Sequence, residues 1–138
     1  MNSYRFDDLH IGLEEEFEYE VTAERMESFQ ILTGDINPLH NNREFAAKYG
    51  FKSCVAYGLL SASLISTMGG CYLPGKYCLL QQIQSKFLLP VFIGDKLTVK
   101  GYVSGLNESV RQAVIKMEIR NQNGKKVVNA RYSVGFLE

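Results

Sequence analysis

The stretch Val55-Ala56-Tyr57-Gly58-Leu59-Leu60-Ser61-Ala62-Ser63-Leu64-Ile65-Ser66-Thr67-Met68 carries apolar residues on nearly every side of a helical wheel, with only small hydroxyl residues between them. A helix greasy all round is buried rather than laid on a surface. It is too short and too rich in serine to cross a bilayer, which takes roughly 20 apolar residues. Gly69 and Gly70 are expected to end it, and Pro74 with Gly75 to turn the chain. Something must cover this helix, and the second half of the chain supplies it. Leu79 to Leu89, Lys96 to Ser104, Val110 to Asn121 and Lys126 to Leu137 read as strands. In the third, Ala113, Ile115, Met117 and Ile119 alternate with Val114, Lys116, Glu118 and Arg120, the period of a strand with one buried face. Asn123 and Gly124 join the last two strands as a hairpin. Such long strands call for a broad, strongly twisted sheet. The expected fold class is therefore α+β: one antiparallel sheet wrapped around a long buried central helix.

Upstream of that helix, Phe17, Tyr19 and Val21 alternate with Glu16, Glu18 and Glu20 as one more strand. Thr22 can cap a helix from Ala23 to Thr33, with Met26, Phe29 and Leu32 along one stripe and Gly34 as its stop. A polar loop runs from Gly34 to Asn42. Asn42 then caps a second short helix bearing Phe45, Ala46 and Tyr49, with Gly50 where a left-handed residue is wanted. No repeat, low-complexity tract or linker interrupts the 138 residues, so a single domain over 1–138 is expected.

Composition narrows the function classes. Fifteen Lys and Arg balance fifteen Asp and Glu, leaving no excess cation for a phosphate backbone or an anionic membrane. Neither nucleic acid nor membrane is an expected partner. Cys54, Cys71 and Cys78 are odd in number and match neither a disulfide framework nor a metal-binding pair, so they read as reduced thiols. Met1 to Gly12 holds Asp7 and Asp8 where a secretory signal would be basic and then apolar. The expected location is the cytoplasm.

The densest cluster of ionisable and turn-forming residues is Leu32-Thr33-Gly34-Asp35-Ile36-Asn37-Pro38-Leu39-His40. A carboxylate and an imidazole this close in a restricted loop can face one small volume and move protons near neutrality. The same residues also suit a capped turn, with Asp35 closing an Asx-turn, Asn37 leading into Pro38 and His40 simply exposed. At the start of the buried helix, Gly58 offers a backbone N–H that can hold an oxygen developing negative charge. Alternatively it relieves crowding where helix meets sheet. Ser66, two turns on, is by itself a small residue in a packed interface.

These segments resemble one family. Phe29-Gln30-Ile31-Leu32-Thr33-Gly34-Asp35-Ile36-Asn37-Pro38-Leu39-His40, then Phe45-Ala46 and Gly50-Phe51, are similar to the hydratase-2 motif of MaoC-like, R-specific enoyl-CoA hydratases. Tyr57 to Ser66, Leu73-Pro74-Gly75 and Phe87 to Asp95 follow in that family's order, so the likeness covers roughly residues 5 to 136. The resemblance implies a hot-dog fold and a homodimer. It also implies a lyase that hydrates trans-2-enoyl thioesters to (R)-3-hydroxyacyl thioesters, or dehydrates them in reverse, on coenzyme A or acyl carrier protein. By position Asp35 and His40 match the catalytic dyad, Asn37 a supporting amide, Gly58 the oxyanion-binding N–H and Ser66 a hydroxyl near the site. Neither a metal nor a redox cofactor is required.

One position departs from the pattern: the family commonly has His before the helix glycine, and this chain has Tyr57. A phenol does not titrate near neutrality as an imidazole does. The only other histidine, His10, lies near the terminus and reads as solvent-facing. Rival functions are a hot-dog acyl thioesterase, for which Cys54 with His40 offers a nucleophile and base, and a non-catalytic acyl-thioester-binding dimer. Phe87, Phe92 and Tyr102 are candidates to line an acyl tunnel or to sit in the core. Lys76, Lys86 and Lys96 are candidates for phosphate contacts or plain surface.

Overall fold

A computed structural model describes residues 1–137; Glu138, the last residue of the expected domain, lies outside the described residues. Five strands, β1 (Glu14–Glu20), β2 (Cys78–Phe87), β3 (Lys96–Asn107), β4 (Gln112–Arg120) and β5 (Lys126–Phe136), form one antiparallel sheet in the order β1-β3-β4-β5-β2. The alternation read in the sequence decides which face is covered. Ala113, Ile115, Met117 and Ile119 of β4 are buried beside Leu97, Val99 and Val103 of β3 and Val127, Tyr132 and Val134 of β5. Lys116, Glu118 and Arg120 alternate with them and stand on the opposite face. Register shifts within β2 and β3 and near the end of β4 mark irregularities in the long strands, and bulges of this kind increase local twist.

The concave face is filled by the greasy segment, with Leu60, Leu64, Ile65 and Met68 in the core. It is not the single helix expected. It runs as α4 (Gly58–Ala62) and α5 (Leu64–Thr67), then widens into a π-turn, Met68–Tyr72, which carries the helix past the glycines that were expected to end it. The break sits at Ser63, whose hydroxyl donates to the Leu60 carbonyl at 2.6 Å and so competes with the helical ladder. Packing is close where Met68 meets the sheet: a Cβ on Gly101 would lie 2.9 Å from Met68 Sδ. Below the π-turn, the buried Tyr132 hydroxyl donates to the Leu73 carbonyl at 2.7 Å, and burial holds that phenol far above its ordinary pKa.

The first half folds as its caps dictate. Helix α1 (Ala23–Thr33) starts where Thr22 Oγ1 accepts the Arg25 N–H at 3.2 Å and stops at Gly34, φ 73°. Asn42 Oδ1 accepts the Phe45 N–H at 3.0 Å to start α3 (Arg43–Lys48), and Gly50 has φ 86°. The loop between them is not wholly irregular, since Pro38–Asn41 forms one further helical turn, α2. The β4–β5 connection is longer than a two-residue turn. Asn121 Oδ1 accepts the N–H groups of Asn123 and Lys125, and Gly124 takes φ 72°.

Candidate active site

The polar loop is built from one side-chain cap after another. Thr33 Oγ1 donates back to the Phe29 carbonyl at 2.8 Å and accepts the Asp35 N–H at 3.3 Å. Asp35 Oδ1 accepts the Asn37 N–H at 3.0 Å, an Asx-turn. Asn37 Oδ1 accepts the Leu39 N–H at 3.0 Å, and Pro38 occupies the first position of α2, where its missing N–H costs nothing. His40 thus sits on a turn whose start is fixed twice over.

The imidazole is fixed as well. His40 Nδ1 lies 2.7 Å from the Val55 carbonyl oxygen, which can only accept, so Nδ1 carries the proton and Nε2 of the neutral ring is the open nitrogen. The ring lies against Tyr57, centroids 4.1 Å apart at 34°. Tyr57 is itself buried, 3% exposed, and leans on Phe29 on α1. Its hydroxyl donates to the Asp35 carbonyl at 2.7 Å and lies 3.3 Å from Gln30 Oε1. Burial first, and the Asp35 charge second, raise its pKa, so the phenol stays protonated at neutral pH.

Gly58, the next residue, opens α4, and its N–H has no partner within the helix. The structure shows the crowding at this glycine and its place at the helix start. A Cβ there would come within 3.2 Å of the Phe87 ring, so the glycine relieves crowding against β2 while leaving its N–H at a helix start. A cleft of about 300 Å³ opens at this point, lined by His40, Gly58, Ser61, Phe87, Pro90 and Val128 among others. Its walls are mostly apolar, with His40, Gly58 and Ser61 as the places where polar groups border it.

The other expected residues fall around it. Asp35 and Asn37 are exposed beside the cleft, tied to it through Tyr57 and α2. Ser66 is exposed on α5 and does not line the cleft; the buried Ser61, which the sequence did not single out, does. Phe87 lines it, whereas Phe92 packs under Lys52, whose ammonium is 4.5 Å from the ring centroid. Tyr102 borders a larger concavity of about 370 Å³ on the outer face of the sheet, with Lys86, Lys116, Glu118 and Arg131, and no residue of the polar loop reaches it. His10 is exposed. Cys54 is buried, and among the described residues no thiol is hydrogen-bonded to His40. Nor, among them, does any group of three or more His, Cys, Asp or Glu side chains form a candidate metal site.

A buried helix under one curved antiparallel sheet, with a carboxylate, an imidazole and a helix-start amide at one end of the helix, defines a hot-dog domain of the hydratase type. A model of the MaoC-like domain matches residues 10–127. The chain is 38% identical over 108 residues to a 3-hydroxybutyryl-CoA dehydratase of Methylorubrum extorquens, covering 78% of this chain and 69% of that one. It is 34% identical to an (R)-specific enoyl-CoA hydratase of Aeromonas caviae, over 87% of this chain and 90% of that one. The solved structure of an (R)-hydratase from A. caviae superposes with a TM-score of 0.88 at 32% identity, covering 94% of this chain and 98% of that one. This chain belongs to the MaoC-like domain family.

Proposed function

We propose that the protein, a single MaoC-like domain over 1–138, is a hydro-lyase. It adds water to trans-2-enoyl thioesters to give (R)-3-hydroxyacyl thioesters, or removes it in reverse. The observation that carries this reading is the joint attachment of Asp35 and His40 to Tyr57, at the mouth of an apolar cleft that begins with the Gly58 amide. Hydration needs a base for water at the β-carbon, a proton for the α-carbon and a donor for the thioester oxygen as it becomes enolate. Asp35 and the open Nε2 of His40 bracket the water and share the proton transfers. Asn37 holds the turn that sets their separation. The Gly58 N–H meets the enolate oxygen, a role worth roughly 3 kcal/mol of barrier for one preorganised donor. Ser66, exposed and away from the cleft, is given no step.

The names of both relatives support coenzyme A as the carrier, with acyl carrier protein as the alternative. Lys86 is the one of the three candidate lysines that borders a concavity; Lys76 and Lys96 are exposed surface residues. The working form is a homodimer. β2 is an edge strand with Leu79, Leu80, Ile83 and Phe87 between 45% and 53% exposed, and Leu59 beside it is 66% exposed. Long apolar edges of this kind are sites of pairing. No helix among the described residues is long and apolar enough to cross a membrane, and a cytoplasmic place fits three free thiols.

Crotonyl-CoA is the first substrate to try, following the enoyl absorbance with a thiol reagent in a parallel sample. Absorbance is expected to fall without thiol release. Asp35→Asn and His40→Ala should each slow the loss by at least about 100-fold with the fold intact. Thiol release would instead mean thioester hydrolysis, and near-normal rates in either variant would overturn the dyad.

A further inference from the structure

Among the described residues, Tyr57 is a side chain that touches both members of the proposed dyad. Its hydroxyl donates to the Asp35 main-chain carbonyl at 2.7 Å, and its ring lies 4.1 Å from the His40 ring. Neither contact is with a reacting group: the bond is to the Asp35 peptide rather than its carboxylate, and the ring contact leaves His40 Nε2 open. We infer that Tyr57 is a positioning residue, a buried strut that sets the distance and angle between the Asp35 carboxylate and the His40 imidazole.

Four features make it a strut and not merely a core aromatic. It is held from behind by Phe29, ring centroids 4.9 Å apart, so the phenol cannot swing away from the loop. Its backbone leads directly into Gly58 at the start of α4, so the element that offers the amide donor also carries the residue that aligns the dyad. The Val55 carbonyl, two residues earlier on the same segment, holds His40 Nδ1 at 2.7 Å. The short stretch from Val55 to Gly58 therefore fixes the tautomer of His40, the height of Asp35 and the oxyanion donor together. Lastly, the phenol keeps its proton across neutral pH, because both burial and the Asp35 charge raise its pKa. An imidazole in its place would gain charge in the acid range and stand against a second imidazole.

This inference rests on the dyad reading and is tested beside it. Tyr57→Phe keeps the ring and removes only the hydroxyl's bonds. Turnover of crotonyl-CoA is expected to fall about 10- to 100-fold, since small misplacements of catalytic groups are costly, while KM stays within about twofold and the denaturation midpoint changes little. A mere packing role predicts the opposite, a shifted midpoint with full turnover per folded molecule, and that result would overturn the inference. A second measurement needs no variant. Nitrogen NMR of His40 in the unsubstituted protein should show the proton on Nδ1, with ring proton contacts to Tyr57; a proton on Nε2, or no such contacts, would overturn it too. Asp35→Asn and His40→Ala in the same assay separate the two ideas. If they stay active, the dyad fails. If they are dead while Tyr57→Phe runs at full rate, only the strut fails.

Discussion

Asp35 shows how one residue can close a turn and still serve the proposed acid–base chemistry. One carboxylate oxygen, Oδ1, is engaged by the Asn37 N–H at 3.0 Å, which leaves Oδ2 for a proton. The capped turn is therefore compatible with the proposed acid–base role, since the turn bond engages one oxygen and orients the other. A different carboxylate carries the acid stability that can be assigned to a single residue. Glu118, on the outer face of β4, meets Lys126 Nζ at 3.0 Å and Arg120 Nε at 3.4 Å. Hydrogen bonding to Lys126, more than the Arg120 contact, holds its carboxyl below the ordinary value of 4.5. A depressed folded-state pKa stabilises the fold above the unfolded value and loses that contribution as pH falls through the folded one. Glu118→Gln should therefore be less stable than the parent at neutral pH and level with it once the pH is below Glu118's own pKa. Urea midpoints taken from about pH 7 down to about pH 3 check this, and parallel curves for the two proteins would refute it.

At the scale of elements, the contact between the central helix and the sheet leaves little room for change. Met68 is fully buried and rests on Gly101, where a Cβ would stand 2.9 Å from its sulfur. Gly101→Ala should cost about 1–3 kcal/mol through overpacking. The same change made on top of Met68→Ala should cost less than half as much, because the obstacle has gone; chemical denaturation of the four proteins measures the coupling, and equal costs would place the strain elsewhere. This contact also marks where the sequence stops being readable. The alternation of β4, the cap at Thr22 and the stop at Gly34 are local signals and reappear in place. The break at Ser63 and the π-turn over Met68–Tyr72 leave no period to read. They answer to a serine hydroxyl choosing the Leu60 carbonyl and to close approach against β2, where a Cβ on Gly69 would lie 3.2 Å from Cys78 Sγ. The short α2 was hidden for another reason: four residues carry no period, and only the Asn37 cap betrays them. In the site, Asp35, Asn37 and His40 are neighbours in sequence and could be read as a cluster. Tyr57 and Ser61 reach them only through the tertiary fold, and the sequence showed Tyr57 as a departure from a pattern without showing what it holds.

On the scale of the whole molecule, the protomer is unevenly finished. The inner faces of β3, β4 and β5 are filled, yet β2 closes the sheet at an edge where every residue from Leu79 to Gln84 is exposed in the single chain, as are Lys86 and Phe87. Leu79, Leu80, Ile83 and Phe87 lie along that edge, and Leu59 of α4 stands 66% exposed near the Phe87 end. An edge this long and apolar, free of proline, lacks most of the devices that keep solitary sheets from pairing. The cleft also opens there, with Phe87 in its wall, so whatever covers β2 would help enclose an acyl chain in the proposed site. The proposed second copy of this chain would satisfy both, joining edge to edge and closing two clefts at once. Ile83 is the residue to change, for it lies mid-strand opposite Tyr132 in register and outside the cleft lining. Ile83→Asp places a carboxylate in the middle of the seam, where it would be buried without a partner. Sedimentation equilibrium should then give the mass of one chain where the parent gives two, with the circular dichroism of the protomer retained. A parent that sediments as a single chain would show that the exposed edge of β2 serves some other contact.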